Sequence, residues 1–423
     1  MTEIQLAYGR EQVSFAFDVS RYQSLSPAGH NEKPLTDVEI GEALDLPIES
    51  ATLEDILRPD ESVLIVVSDS TRATASAQIV NLLVRRIIQT GIAPQDVSII
   101  FATGIHRPVT PEEKQELLTP FIVQRIKTID HDAYDPKSLL LLGTTPQGTP
   151  IELNRALQEF SHVILTGAVG FHYFAGFTGG RKSICPGLAS AQTIEATHIL
   201  ALDFEKGGRR AGVGTALLEG NAVHEDCERI AELIKPSFAV NSVVDDRGRA
   251  VRLYAGHWRQ AHRVACREYL TEHSCSIGDK RDLIIASCGG WPYDINLIQA
   301  HKTLDMAACA CKEGGTIILL ARCSDGFGRQ DFLKWFAVKD SRALEARLRQ
   351  AYEVNGQTAW SLLTKAERYR VLLVSDLPDD DVRLMRMTPV PSLAAALAQL
   401  SAELEGYILP RGAALLPVAP DLD

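Results

Sequence analysis

The chain has 423 residues, of which 45% are hydrophobic and 23% charged, and it carries a formal net charge of −11 at pH 7. This length exceeds the size at which a single hydrophobic core stops growing, so we expect two domains, and the acidic balance argues against nucleic acid or an anionic membrane as the main partner. The eight cysteines show no zinc-ribbon or C-x-x-C spacing and no apolar run is long enough to span a bilayer, which predicts a cytoplasmic protein with reduced thiols.

Three strands of the first half are predicted from short apolar runs. Val63–Val67, Val97–Phe101 and Val163–Thr166 are continuously apolar, which is typical of central strands in a parallel sheet. The loops that follow them contain, in chain order, Asp69 and Arg72, then His106, then His172. Because the carboxyl ends of parallel strands line one crevice, we expect these side chains to lie close together.

Helices and further strands complete two α/β alternations. The predicted helices of the first half are Ser76–Thr90, Pro111–Leu118, Ser190–Leu202, Leu217–Leu233 and His257–Ser274. A further strand is predicted at Leu139–Gly143, and a hairpin around Asp246–Gly248. A second alternation begins at Asp282–Ala286, so we predict two α/β domains with mainly parallel sheets, at residues 1–275 and 276–423.

A glycine-rich segment follows the third strand. It has five glycines from Gly167 to Gly180, and glycine lets backbone N–H groups approach an anion closely. Gly176–Ser183 matches the phosphate-loop pattern G-x-x-x-x-G-K-[ST], except that Arg181 replaces the second glycine. A nucleotide-binding enzyme, a kinase or triphosphatase, is therefore an alternative, although the arginine side chain stands where such a loop must close.

Two histidines and a lysine in these loops are candidates for chemistry. His106 and His172 each follow a strand, and imidazoles that titrate near neutral pH can supply acid and base from opposite sides of a substrate. Local hydrogen bonds within the loops are the alternative for both. Lys182 is a phosphate ligand, a surface charge or a nucleophile, and the positive charge of Arg181 would lower its pKa and favour the free amine.

Three other groups leave alternatives open. His198, on a predicted helix, is a weak metal signal, because a protein-only site normally needs three or four ligands. A metal there is credible only if a cofactor brings the other ligands. Asp69 and Arg72 either pair with each other or contact a ligand. A binding protein on the same fold, without turnover, is a third functional alternative.

Several motifs, in the same order and spacing, resemble those of the nickel-dependent lactate racemase family. They are SDSTR at Ser68–Arg72, TGIHR at Thr103–Arg107, His172 with GFTGGRKS at Gly176–Ser183 and His198, and GWPYD with QAHK within Gly290–Lys302. The resemblance covers nearly the full length. It implies a racemase or epimerase of 2-hydroxy acids, with its active site in the cleft between two α/β domains.

The resemblance also implies a cofactor, the nickel-pincer nucleotide (pyridinium-3,5-bisthiocarboxylic acid mononucleotide), attached covalently to Lys182 as a thioamide. The pincer would give nickel one carbon and two sulfur ligands and His198 would complete a square plane, a geometry that nickel(II) accepts. The Cα hydride of the substrate would pass to the pyridinium ring and return to the other face of the keto acid. His106 and His172 would be the bases on the two sides, and cofactor-biosynthesis proteins would be partners in maturation.

Binding roles follow from the same resemblance. Arg72, Gln299 and Lys302 would contact the substrate carboxylate or the cofactor. The residues that would cradle the nucleotide phosphate are Gly179, Gly180, Arg181 and Ser183, with Asp69 nearby. Ile298 stands where an aromatic residue is expected in members that act on lactate, so the sequence predicts the reaction type and leaves the particular 2-hydroxy acid and a homo-oligomeric state open.

Overall fold

The computed structural model describes residues 2–26, 33–401 and 403–419. The chain forms two compact units. The first unit consists of Asn31–Asp203 and Arg209–Tyr269, and the second of Met1–His30, Phe204–Gly208 and Leu270–Asp423. Within the described ranges, every helix is too short or too polar to cross a membrane.

Strands and helices alternate along most of this described chain. The strands are β1 Thr2–Tyr8, β2 Glu11–Phe17, β3 Tyr22–Ser24, β4 Val63–Ser68, β5 Val97–Ala102, β6 Lys127–Asp130, β7 Leu139–Thr144, β8 Pro150–Asn154, β9 His162–Ala168, β10 Phe171–His172, β11 Gly176–Phe177, β12 Phe238–Val244, β13 Ala250–Gly256, β14 Ser274–Ser276, β15 Arg281–Ser287, β16 Cys311–Leu320, β17 Arg370–Val374, β18 Thr388–Val390, β19 Gly406–Leu409 and β20 Leu416–Val418. The α-helices are α1 Asp37–Asp45, α2 Leu53–Ile56, α3 Ser76–Gln89, α4 Pro111–Arg125, α5 Ala156–Glu159, α6 Ala191–Ile199, α7 Ala222–Ile234, α8 Trp258–His273, α9 Leu297–Ala310, α10 Ser341–Gln350, α11 Val354–Arg368, α12 Asp379–Leu384 and α13 Leu393–Leu397.

The first unit is built on a six-stranded sheet with the order β13-β12-β9-β4-β5-β6. The strands are parallel except β13, which forms the predicted hairpin with β12. Val66 pairs with Leu165 of β9 and with Ile100 of β5, so the three predicted apolar strands are neighbours. Their carboxyl ends therefore lie side by side, and the loops that carry the candidate residues leave the sheet from one edge.

Helix α3 shows how the apolar pattern fixes this sheet. Ile79, Leu83 and Ile87 are four residues apart, lie on one face of the helix, and are at most 1% exposed. They belong to the same buried cluster as Ile65 of β4 and Phe101 of β5. Burying each such side chain contributes about 1.5–3 kcal/mol, so the cluster holds the strand ends in place.

One predicted strand of this alternation lies elsewhere. The run Leu139–Gly143 was expected in the parallel sheet, but β7 pairs with β8 in a separate antiparallel hairpin. The edge of the parallel sheet is instead β6, whose sequence Lys-Thr-Ile-Asp is partly exposed and mostly polar. An edge strand needs no continuous apolar run, so the apolar signal pointed to the wrong segment.

The second unit contains a six-stranded, all-parallel sheet with the order β18-β17-β16-β15-β19-β3. The run predicted at Asp282–Ala286 corresponds to β15, in the interior of this sheet. The edge strand β3 comes from the N-terminal part of the chain, and the hairpin β1–β2 adds Leu6 and Phe15 to the core of this unit. The N-terminal segment therefore belongs with the second sheet, whereas the predicted boundary assigned all of residues 1–275 to the first domain.

Candidate active site in the first unit

The first two candidate loops meet through a hydrogen bond between Asp69 and His106. Asp69 directly follows β4, and its Oδ2 lies 2.7 Å from Nδ1 of His106, in the loop after β5. The backbone N–H and hydroxyl of Thr71 donate to the other carboxylate oxygen at 3.0 and 2.5 Å. Burial raises the pKa of Asp69, but the bonds from His106 and Thr71 and the charge of Arg72 outweigh it, so the pKa is lowered overall. An ionised carboxylate accepts from Nδ1 and leaves Nε2 of the imidazole for other partners.

The alternative in which Asp69 pairs with Arg72 is not found. Asp69 is instead hydrogen-bonded to His106. Within the described residues the Arg72 side chain makes neither a hydrogen bond nor an ion pair, and it is only partly buried. Arg72 is thus a cation beside this site with its guanidinium donors uncommitted to protein groups.

The His106 loop is also fastened to the segment that carries Lys182. The N–H of Gly104 donates to the carbonyl oxygen of Gly187 at 2.9 Å. A Cβ at Gly187 would lie 2.4 Å from the carbonyl oxygen of Ser183 and 2.8 Å from Cβ of Ala102. Only glycine permits this approach, so the sequence Pro-Gly after Lys182 brings the two loops together.

The glycine-rich segment gathers its reactive side chains around one aromatic ring, that of Phe174. The ring centroid of Phe174 lies 4.6 Å from that of His172 and 5.0 Å from that of His198. Nζ of Lys182 lies 5.7 Å from the same centroid. Phe174 is itself held by Asn221, whose Nδ2 donates to its carbonyl oxygen at 2.9 Å. An amine and two imidazoles, which are separated by up to 26 positions in the sequence, thus share one neighbour.

His172 is buried within this cluster. Its Nδ1 accepts a hydrogen bond of 3.3 Å from the N–H of Ala175, and its ring stacks on that of Tyr173. The two-residue strand β10 that contains it pairs with β11, placing His172 opposite Gly176. At Gly176 a Cβ would lie 2.2 Å from the carbonyl oxygen of Leu217, and φ is +76°, so the tight pairing requires glycine.

The Lys182 amine is held in a state suited to nucleophilic chemistry. Desolvation, then the positive charges of Arg181 and Arg72, lower its pKa to about 7. Among the described residues Nζ has no hydrogen-bond or ion-pair partner, and it lies 5.7 Å from the centroid of the Phe174 ring. A side chain in this state is a free amine for a large fraction of molecules at neutral pH, as the sequence predicted for a lysine next to Arg181.

Acylation kinetics test this property directly. We expect Lys182 to react with a small amine-directed acylating reagent with a pH midpoint near 7, because its pKa is lowered to about 7 from the ordinary 10.5. Ordinary exposed lysines remain protonated, and therefore react slowly, until the pH rises toward about 10.4. Competitive labelling followed by peptide mass analysis gives both midpoints. A midpoint for Lys182 near the ordinary 10.5 would contradict the assigned state.

His198 lies near the end of α6, whose N-terminus is capped by Ser190 through a 3.2 Å bond from the N–H of Thr193. Burial, then the charge of Lys182, lower the pKa of His198 to about 3. The ring is therefore neutral, with Nδ1 at 3.3 Å from the Thr197 hydroxyl. A neutral imidazole whose Nδ1 is held by a neighbour offers Nε2 as a ligand atom.

Both halves of the chain match known proteins in sequence. A family model described as the lactate racemase N-terminal domain matches residues 8–208, and one described as the lactate racemase C-terminal domain matches residues 278–408. The lactate racemase of Thermoanaerobacterium thermosaccharolyticum is 32% identical over 408 residues, which cover 94% of each chain. That of Lactiplantibacillus plantarum is 32% identical over 431 residues, covering 100% of this chain and 98% of the relative.

The chain belongs to the lactate racemase family.

Solved structures agree with this assignment. The lactate racemase apoprotein from T. thermosaccharolyticum superposes with a TM-score of 0.91 at 29% identity, covering 99% of this chain and 100% of the other. A Thermotoga maritima protein at 21% identity, with a TM-score of 0.69, covers 92% of this chain and all of the other, and shows the fold alone. The predicted family and fold class are confirmed, and the chain is an isomerase of this family.

The structure gives a different role to Arg181 than the phosphate contact expected from the family resemblance. Arg181 is 1% exposed, and its guanidinium donates to the carbonyl oxygens of Ala175 at 2.6 Å and Phe177 at 3.0 Å. Ser183 donates to the carbonyl oxygen of Thr166 at 2.9 Å. Both side chains are directed into the protein: Ser183 joins the glycine-rich segment to β9, and Arg181 bonds within that segment. Sequence alone could not distinguish this inward arginine from one that faces a phosphate.

Replacing Arg181 with methionine should therefore cost stability. The change removes the guanidinium bonds to the carbonyl oxygens of Ala175 and Phe177, although that of Ala175 still accepts from the N–H of Phe177. A buried acceptor left unpaired costs roughly 1–3 kcal/mol, so we expect the free energy of unfolding to fall by about that amount. Denaturant titration measures this loss, and replacement of the exposed Arg247 by methionine is the matched control. Unchanged stability together with weakened nucleotide binding would restore the phosphate role.

The local structure around Gly179 and Gly180 also bears on the phosphate-loop alternative. The N–H of Gly180 donates to Oδ1 of Asn241 at 2.9 Å, and a Cβ at Gly179 would lie 2.9 Å from that oxygen. The segment Gly180–Ser183 is a single 3-10 turn, where a phosphate loop would open an α-helix. With Arg181 buried as well, the kinase or triphosphatase alternative has no structural support, and a phosphate contact at Gly179 stays a prediction.

The predicted binding residues of the second unit lie together on α9. This helix is capped by Asn296, whose side chain accepts from the N–H of Gln299 at 3.0 Å. Nζ of Lys302 donates to Oε1 of Gln299 at 2.7 Å, so the two side chains lie on the same helical face, as their spacing of three residues requires. Ile298 is partly buried beside them. Their predicted contact with substrate or cofactor stays a prediction.

Proposed function

We propose that this protein inverts the Cα–hydroxyl centre of a small 2-hydroxy acid, as its family membership and one observation indicate. That observation is the gathering of Lys182, His172 and His198 around the ring of Phe174. A protein that only binds a ligand does not need a lysine amine and two imidazoles around one ring, whereas an enzyme that transfers protons does. The homologues named lactate racemase make lactate the reference substrate.

The residues present fit the nickel-pincer nucleotide that the family resemblance implies. Within the described residues no group of three or more His, Cys, Asp and Glu side chains is placed to hold a metal, so His198 needs ligands from outside the protein. His198 is neutral, as a metal ligand must be, and Lys182, with its pKa lowered to about 7, is unprotonated in a large fraction of molecules at neutral pH and able to form the covalent attachment. When bound, the nucleotide supplies nickel and an acceptor for the Cα hydride.

Side chains of the protein transfer the protons in the proposed reaction. Nδ1 of His106 is bonded to the ionised Asp69, so Nε2 is the atom that takes the hydroxyl proton of one enantiomer. The Asp69 carboxylate fixes the ring and offsets the charge while His106 holds that proton. His172 is the second proton carrier in the proposal, and the aromatic rings of Tyr173 and Phe174 exclude water from it.

Substrate binding is assigned to cations and one amide. Arg72 has guanidinium donors uncommitted to the described protein groups and is the proposed partner of the substrate carboxylate. Gln299 and Lys302, paired on α9, are proposed for contacts to the substrate or cofactor. Ile298 in place of an aromatic residue leaves a smaller, aliphatic wall, so the proposal covers 2-hydroxy acids as a class.

The deciding experiment uses protein produced together with the cofactor-biosynthesis proteins and nickel, which are its proposed partners in maturation. Single enantiomers of a panel of 2-hydroxy acids are incubated with it and analysed by chiral chromatography. The expected result is conversion of at least one acid toward the racemate, with nickel and a mass increase on Lys182. A nickel-loaded, mass-shifted protein that converts none of the panel would favour a carrier, and an unmodified lysine without nickel would remove the proposal.

A further inference from the structure

Two buried thiols lie in contact beside the candidate anchor lysine, and the proposed reaction uses neither. Sγ of Cys185 and Sγ of Cys227 are 3.7 Å apart. Cys185 is three positions after Lys182, and Cys227 is on α7; their side chains are 0% and 4% exposed. Both are free cysteines.

The surroundings of the pair shift the pKa values of the two thiols in opposite directions. The hydrogen bond between the two thiols, and then the charges of Arg181 and Lys182, lower the pKa of Cys227 against the opposing effect of burial. The same hydrogen bond and burial raise the pKa of Cys185. One member is thus the better thiolate and the other keeps its proton. An attacking thiolate with a second thiol at contact distance is the arrangement of an oxidisable dithiol.

The backbone between Lys182 and the pair is a compact turn. The N–H of Cys185 donates to the carbonyl oxygen of Arg181 at 3.0 Å, and that of Gly187 donates to the carbonyl oxygen of Lys182 at 3.0 Å. Any bond made by Cys185 therefore acts on the turn that presents Lys182. Lys182 itself is partly exposed, and of the two thiols Cys227 keeps the larger exposed fraction, 4%.

We propose that Cys185 and Cys227 are a modification site, a dithiol that a hydroperoxide converts into an intramolecular disulfide, which ties the Lys182–Gly187 turn to α7. The Cys227 thiolate attacks one oxygen of the hydroperoxide, is oxidised to the sulfenic acid, and releases the other oxygen as water or alcohol. The Cys185 thiol then attacks the Cys227 sulfur, and the sulfenic oxygen leaves as water. Overall, two thiols and one hydroperoxide give one disulfide, one water, and a second water or an alcohol.

The test uses the full-length, cofactor-free protein with one equivalent of hydrogen peroxide, followed by alkylation and peptide mass analysis. The expected result is a linked pair of peptides containing Cys185 and Cys227, the loss of two free thiols, and full reversal by a dithiol reductant. Hydrogen–deuterium exchange should show slower exchange in the Lys182–Gly187 turn of the oxidised protein. Because these readouts need no cofactor, their failure is distinguishable from failure of the proposed racemisation.

Variants separate the pair from ordinary thiol oxidation. Cys185→Ser and Cys185→Ala should leave Cys227 to collect oxygen atoms, since no second thiol is present to close the disulfide, and Cys227→Ser should give no linked peptide. Cys266→Ser is the matched control, because Cys266 is equally buried in the same unit but contacts His262, and it should leave the linkage unchanged. Sulfinic acid at Cys227 of the unaltered protein without a link to Cys185, or oxidation spread evenly over the cysteines, would overturn the proposal.

Discussion

Replacing Lys182 with arginine is expected to abolish racemisation and covalent loading together. Arginine keeps a cation at this position but has no nucleophilic amine, and its guanidinium stays protonated at any accessible pH. Lys182 differs in just this respect, because burial and two neighbouring cations lower its pKa to about 7. The measurements are intact mass after production with the cofactor-biosynthesis proteins, and conversion of single enantiomers by chiral chromatography.

The control for this substitution is Lys137→Arg, at an exposed lysine of the same unit, which should load and convert as the unaltered protein does. Thermal unfolding of both variants shows whether the Lys182 variant keeps its fold. We expect it to do so, since no described protein group bonds to Nζ and none is left unpaired by the change. Full activity in a folded Lys182→Arg protein would rule out a covalent role for this lysine.

The central part of the fold could be predicted because its strands are buried on both faces. Such strands are continuous apolar runs, and β4, β5 and β9 begin and end within two residues of the predicted positions. Elements at the periphery lack that signal. The polar edge strand β6 was not predicted, and the short strand β3 joins the second sheet by pairing with β19, almost four hundred residues away in the sequence. Long-range pairing of this kind is decided by the packing of the whole unit and leaves no local pattern.

The candidate site shows the same division between what sequence carries and what packing decides. The loops of Asp69, His106 and His172 could be placed at neighbouring strand ends because topology brings such ends to one edge. The direction of individual side chains could not be predicted from the sequence. Arg181 is the example, because its side chain points inward and donates to carbonyl oxygens. Phe174, the common neighbour of the reactive groups, was not singled out, because an aromatic residue in a glycine-rich loop has the same pattern whether it lines a site or fills a core.

Replacement of either candidate proton carrier, His106 or His172, should cause a large loss of racemisation rate. A positioned general acid or base contributes about 10²–10⁴-fold to a rate, so His106→Ala and His172→Ala should each lower racemisation by that order while retaining the mass increase on Lys182. Asp69→Asn should cause an intermediate loss, because asparagine can still accept from Nδ1 of His106 but no longer offsets its charge.

A histidine at the other end of the same sheet provides the control. His162 begins β9, bonds to Glu61 and Ser237, and lies at the opposite end of that strand from the site, so His162→Gln should leave the rate nearly unchanged. If the two carriers serve opposite faces of the substrate, loss of either one blocks conversion in both directions, since every inversion takes a proton on one side and returns one on the other. A His172→Ala protein that is fully loaded and fully active would leave His106 with Asp69 as the only proton carrier, and inversion would then require the substrate to turn within the site toward a single base.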